Sequence, residues 1–486
     1  MGYPRIGGVI GSQLIPALAT AVAKPTAGGL AYAFRIRPGI RYWDGSPLHA
    51  SDFRYAIERN FQILDPDLHE TVGARFYTAI VGADACGAAP GKRCDLSAGI
   101  VADDAANTIT FRLNAPDADF LYKLASGFAQ PMKPNPTLDF AYAMRPFPST
   151  GPYRIASVST NEVRLTRNPY FRSWDPHVRS SGYADEMVWT GGVEAHDQVK
   201  RVQSGGADYM VEQIPADAFH VLETDYTPQL HLAAQSTMFV FMNTRLPPFD
   251  KLDVRRAVNL AMDRSAVAEL RGGIAVTSIT CQILPPNFPG FQPYCPYTKD
   301  PAAGGRGRWA APDVEQARKL VAASGTAGAK IVVGPFVPRL TPLAKYVVGV
   351  LKEIGFKNVT ERDAKTPPDV FKAVLQDKDV QMGAFEIVQD FPGPDTFLAG
   401  FTCAEGDGFS NYCDPALDAL VQQARDLQAT DPSAAADKWA EADRKVVDLA
   451  LWSPLLNEGS DFVSARVRNY QYNLSYGVLL DQIWVK

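Results

Sequence analysis

The stretch RYWDGSPLHASDF, Arg41 to Phe53, gathers a Trp, two Asp, two Ser and a His within thirteen residues. Those side chains are the raw material of general acid–base and nucleophilic chemistry. Their spacing is not that of a catalytic motif. The chain has no GxxxxGK[ST] phosphate loop, no GxSxG elbow and no HExxH. Its six histidines, at 49, 69, 177, 196, 220 and 231, never come closer than eleven residues and show no metal-ligand spacing. The paired glycines Gly191-Gly192, Gly205-Gly206 and Gly304-Gly305 lack dinucleotide spacing. No catalytic residue, metal ligand or cofactor is expected, and the chain does not read as an enzyme.

The cysteines are more informative. Cys86 and Cys94, Cys281 and Cys295, and Cys403 and Cys413 form three close pairs separated by long cysteine-free stretches. Zinc sites need two to four residues between ligands, and none of these pairs has that. The pattern predicts three short-loop disulfides and a protein that works outside the reducing cytoplasm.

The elements that must carry these residues follow from periodicity. LAYAFRIR, Leu30 to Arg37, and TITFRL, Thr108 to Leu113, alternate as strands. Trp43-Asp44-Gly45 is a turn, and Ser51-Asp52 opens a helix with Phe53, Ala56, Ile57 and Phe61 on one face. Five prolines between Gln130 and Pro148 mark an extended connector, and Gly151 to Arg167 reads as a hairpin. Ala207 to Val211 reads as a short strand, and Phe239 to Asn243 as a buried one. Asp253 to Leu270 reads as one helix capped by Asp253. Lys330–Val333 and Val380–Val388 are strands, and Thr341–Ile354, Ala416–Leu427 and Pro432–Leu451 are helices. Alternating β and α implies an α/β fold with parallel sheets and ligands at the strands' carboxyl ends.

At 486 residues the chain is too long for one core, so two or three lobes are expected. It carries 48 basic and 53 acidic residues, net −5, which argues against nucleic-acid binding. Gly7 to Ala23 ends like a signal cleavage site, but its glycines and Pro16 break the apolar run, so it is not read as a signal peptide. No stretch reaches the ~18–20 apolar residues of a membrane span.

Several stretches together resemble the family 5 solute-binding proteins that serve peptide, dipeptide and nickel ABC importers. FRIRPGIRYWDGSPLHASDFRYAIERNF (Phe34–Phe61) is similar to that family's signature, and LIPALA (Leu14–Ala19) to its front segment. STGPYRI (Ser149–Ile155) with RNPYF (Arg167–Phe171) resembles its hairpin. FVFMNTRLPPFDKLDVRRAVNLAMDR (Phe239–Arg264) resembles its hinge strand and following helix. DFPGPDTF (Asp390–Phe397) resembles its cleft loop, and WSPLLNEGSDFVSARVRNY (Trp452–Tyr470) its return strand.

The resemblance implies a two-lobed periplasmic-binding-protein-like fold (class II, cluster C) with an extra subdomain on lobe I. That subdomain would be residues 1–150. Residues 151–245, completed by 455–486, would form the lobe I core, and 246–454 lobe II, with hinge crossings near Asn243–Asp250 and Trp452–Asp461. It also implies an extracytoplasmic monomer that closes on a peptide or other small solute and docks on ABC permease subunits. A ligand-sensing module on a regulatory protein is the alternative. Asp390 matches the residue that pairs with a ligand amine. Glu386, Phe391 and Arg339 are its expected companions, with Arg339 suited to a carboxylate. The family's residue at the helix start is Thr where this chain has His49, and its Gly-Trp before the cleft Asp is Glu386-Ile387 here. The family also carries more chain ahead of LIPALA. A fragment, a misplaced start or part of a fusion is therefore expected, with any membrane anchor lying outside this sequence.

Overall fold

The computed structural model describes the chain apart from residues 65–70, 72, 135–145, 177, 234–235, 275–276, 335, 337–339, 363–379, 404–409 and 429–430. It divides into two compact units, Met1–Glu194 with Arg466–Lys486, and Ala195–Ala465.

In the first unit, strands β1 (Ala31–Arg35), β2 (Ile100–Asp103) and β3 (Thr108–Arg112) form an antiparallel sheet in the order β1-β3-β2. Alternation sends Tyr32 and Phe34 inward while Ala33 and Arg35 face out. Phe34 and Phe120 each meet Phe111 edge-on, at 5.9 and 5.5 Å. The helix Ser51–Gln62 buries Ala56, Ile57 and Phe61, as its spacing predicts.

The Arg41–Phe53 cluster builds this corner and catalyses nothing visible in its contacts. Gly45 closes the turn with a hydrogen bond to the Tyr42 carbonyl at 2.9 Å and a φ of +85°. A Cβ there would lie 2.9 Å from the Tyr170 ring, so this turn needs glycine. The fully buried Tyr42 hydroxyl and the His49 backbone N–H both donate to Asp52 Oδ2 at 2.9 Å. Asp52 thus reaches back over the helix start, one half of a capping box. Burial raises its pKa against the pull of those donors. Trp43 Nε1 donates to the Phe147 carbonyl at 3.0 Å, and the His49 side chain is exposed.

The expected hairpin is β4 (Tyr153–Val158) with β5 (Glu162–Arg167). A third strand, β6 (Glu186–Thr190), pairs with β5 and was not anticipated. The C-terminal segment packs on the front of the chain, where the Asn473 amide donates to the carbonyls of Pro4, Ile6 and Gly11.

The second unit is organised by two elements. A small core of Val199, Val202, Met210, Ile214, Phe219, Leu222 and Phe462 accompanies the antiparallel pair β7 (Leu230–Leu232) and β14 (Ser460–Phe462). The larger core surrounds a six-stranded sheet. Its strands are β8 (Ser236–Met242), β9 (Thr277–Ile279), β10 (Lys330–Val333), β11 (Asn358–Glu361), β12 (Met382–Val388) and β13 (Trp452–Glu458). Their order is β11-β10-β12-β8-β13-β9. Every residue of β8 and β13 is buried, as for central strands covered on both faces.

Three expectations are corrected here. The sheet is mixed: β10 pairs parallel with β11 and β12, but β8 lies antiparallel between β12 and β13, and β9 antiparallel to β13. Periodicity reports strands without their direction, so the insertion of β8 left no trace in the pattern. The expected helix over 253–270 is two, Leu252–Ala261 and Arg264–Leu270. Asp263 breaks it by capping the second helix, its carboxylate accepting from Ser265 and Ala266 N–H at 3.0 and 3.1 Å. Asp253 instead sits in the first turn, with Lys251 at the cap position. The expected strand Ala207–Val211 is a single bridge, Tyr209 to Val463.

The sequence boundaries at 245 and 455 fall beside β8 and within β13, which share one sheet. The three expected disulfides are all formed, Cys86–Cys94, Cys281–Cys295 and Cys403–Cys413. Among the described residues no helix is long and apolar enough to cross a membrane.

Candidate ligand site

In the sheet of the second unit, β10 to β13 point one way and β8 the other. The carboxyl ends of β12 and β13 therefore meet the start of β8. Glu386 lies near the end of β12, opposite Met238, and Ser236 opens β8 opposite Val388. Ser236 Oγ lies 2.7 Å from Glu386 Oε1 and donates to it. Glu458 ends β13 and is nearly buried. Arg271, just past the helix Arg264–Leu270, grips it bidentately, Nε to Oε1 at 2.7 Å and Nη2 to Oε2 at 3.1 Å. Burial disfavours the guanidinium's charge, but the Glu458 bonds and the nearby Glu386 outweigh that and raise its pKa.

Asn457 secures the same end of the sheet. Its amide donates to the Ser236 carbonyl and to Thr237 Oγ1 at 3.1 and 2.9 Å, and Thr237 Oγ1 donates to the Ile283 carbonyl at 2.8 Å.

Asp390 follows β12 by two residues and is exposed, on the loop that the sequence singles out. That loop is held at several points. Phe391 is buried at 8% exposure, so it roots the loop. Gly393 N–H donates to the Phe391 carbonyl at 2.7 Å. Asp395 receives Arg425 Nε and Nη2 at 2.9 and 3.1 Å. Phe397 meets Phe288 edge-on at 5.1 Å. Beyond it, Cys403–Cys413 closes the following segment.

Glu386, Asp390 and Phe391 are thus brought to one end of one sheet. Arg339 lies outside the described residues. Sequence reasoning did not single out Arg271, Ser236 or Glu458. Glu458 stood inside the quoted return strand and could have been found there, whereas nothing in the sequence marks Arg271 or Ser236. Three carboxylates face one guanidinium here, and Arg271 is committed to Glu458. The arrangement suits a cationic group on a small solute, held by charge-assisted hydrogen bonds.

The profile of the bacterial extracellular solute-binding proteins, family 5 Middle, matches residues 13–409. The chain is 26% identical over 383 residues to the probable di/tripeptide-binding protein 5 of Pseudomonas aeruginosa (strain UCBPP-PA14), covering 74% of this chain and 67% of that one. It is 23% identical over 431 residues to the periplasmic oligopeptide-binding protein OppA of Escherichia coli (strain K12), covering 85% and 74%. Among solved structures, clavulanic acid biosynthesis oligopeptide binding protein 2 superposes with a TM-score of 0.80 at 24% identity, covering 100% of this chain and 89% of the other. The unliganded open form of the periplasmic murein tripeptide-binding protein MppA gives 0.77 at 18%, covering 100% and 91%. These two establish the fold, an α/β periplasmic-binding-protein architecture of the two-lobed kind. The chain belongs to the bacterial extracellular solute-binding proteins, family 5.

Proposed function

We propose that this protein captures a peptide or another small cationic solute outside the cytoplasm and hands it to the permease subunits of an ABC importer. It acts as a monomer, by closure of two lobes, and releases its ligand unchanged. Membrane attachment comes from an anchor outside this chain. The lobe limits are proposed near 150, 245 and 454, with the second lobe widened to include both β8 and β13, since these share its sheet. The relatives named for di- and tripeptides and for oligopeptides support a peptide ligand.

The carrying observation is the exposed Asp390 on a loop pinned by Asp395–Arg425, beside Glu386 at the carboxyl end of β12. Asp390 takes the ligand's amine. Glu386, oriented by Ser236, adds negative potential, and Phe391 fixes the loop. Arg339 is proposed for the ligand's carboxylate on sequence grounds alone. Main-chain hydrogen bonds to an extended peptide supply affinity that is indifferent to its side chains.

A library of di- to pentapeptides screened by thermal shift tests the reading. A binding peptide raises the Tm by mass action. Asp390→Ala then weakens that peptide by about 1.5–3 kcal/mol, the worth of one charge-assisted bond. Absence of any stabilising peptide, or an unchanged Kd in Asp390→Ala, overturns the site.

A further inference from the structure

The first unit contains a cavity of about 420 Å³, apart from the ligand site of the second. Arg59 and Arg179 line it with the amides of Asn60 and Gln130 and the apolar rings of Phe128 and Phe147. Its wall is built. The Asn60 amide donates to the carbonyls of Ala56 and Phe128 at 3.1 and 2.9 Å. Phe128 stacks on Phe76 at 5.2 Å, yet remains 36% exposed. At Gly73 a Cβ would fall 2.3 Å from Asn60 Oδ1 and 2.8 Å from Phe128 Cδ1, so a glycine lets these two side chains close up.

Arg179 is the telling residue. Its Nε is sealed from solvent and has no hydrogen bond among the described residues. Asp481, an acid whose charge it feels, is taken by Arg5 at 3.5 Å, and Arg5 also lies over the Tyr476 ring at 4.2 Å. Burial, then repulsion by Arg5, brings the Arg179 pKa down to about 10. A buried cation is costly unless an anion or acceptor meets it. The guanidinium fork suits a carboxylate.

We infer that this cavity is a second binding site, for a small organic carboxylate with an apolar body. The carboxylate meets Arg179 and Arg59, and the body lies against Phe128 and Phe147. The volume falls within the range of small-molecule pockets, ~300–1,000 Å³. Nothing in this inference depends on the peptide site.

Calorimetric titration of the full chain with phenylacetate tests it. Saturable binding is expected, at least tenfold weaker for the neutral phenylacetamide and for inorganic phosphate, which lacks the apolar body. Arg179→Gln is expected to lose at least tenfold in affinity, while Asp390→Ala binds phenylacetate as the unaltered protein does. Failure to saturate below about 10 mM, equal binding of acid and amide, or an unaffected Arg179→Gln overturns the inference. Loss of phenylacetate binding in Asp390→Ala overturns it as well. If Arg179→Gln does not fold, the comparison of acid with amide decides.

Discussion

Arg271 and Glu458 form a bidentate ion pair at the carboxyl end of β13, with side chains only 18% and 9% exposed. The pair connects the segment after the helix Arg264–Leu270 to the strand that closes the sheet. Through Glu458 it also sits beside Ser236, whose hydroxyl serves Glu386 and lies 3.2 Å from the Glu458 carbonyl.

Breaking this pair strands a nearly buried charge. Arg271→Met and Glu458→Gln are each expected to cost about 2–3 kcal/mol in urea unfolding. The double variant Arg271→Met/Glu458→Leu should cost less than the sum by at least ~1 kcal/mol. Additive losses would show that the pair contributes no coupling.

Much of this was legible beforehand, for physical reasons. The strands LAYAFRIR and TITFRL declared themselves because one face of each is buried. The Arg41–Phe53 stretch was readable as a turn and helix start because Gly45 and Asp52 have local roles. Asp390 was findable because its loop is a contiguous motif. Other features are long-range and leave no local signature. Arg271 meets Glu458 across 187 positions, and Ser236 meets Glu386 across 150. The break between the helices before Arg271 was missed because the apolar spacing runs on through Met262, while Asp263 caps anew.

Arg425 holds the Asp390 loop without reaching the proposed ligand. Its partner Asp395 is 17% exposed and begins the short helix after the Pro-Gly-Pro turn. Arg425→Ala should speed amide exchange across residues 391–398 and weaken peptide binding severalfold, with a stability loss of only about 1–2 kcal/mol. Unchanged exchange in that segment would remove Arg425 from the loop's support.

The Cys281–Cys295 bond closes a loop that also carries Gln282, Ile283 and Leu284 against Asp443. Replacing both cysteines by serine should cost about 3 kcal/mol on chain-entropy grounds for a loop of this length. The unaltered protein, denatured without reductant, should show no reactive thiol. Six titratable thiols would contradict all three bonds.

Asp443 lies wholly buried in the helix Pro432–Asp448 and accepts hydrogen bonds from Gln282 Nε2 at 2.7 Å and from the N–H groups of Ile283 and Leu284 at 3.0 and 3.4 Å. Burial outweighs those donors and raises its pKa to about 6. In the unfolded chain the same carboxyl titrates near ~4. Between these values the folded protein holds a proton that the unfolded chain has released, so this residue's contribution to stability falls as pH rises. The loss approaches about 3 kcal/mol by pH 7 and levels off above that. Asp443→Asn removes the titration while keeping an oxygen for the two backbone donors. Urea unfolding at pH 4, 5, 6 and 7 should show the unaltered protein losing stability relative to Asp443→Asn across that window. A difference that is flat with pH would mean that Asp443 stays ionised throughout and that its three donors, rather than burial, set its charge.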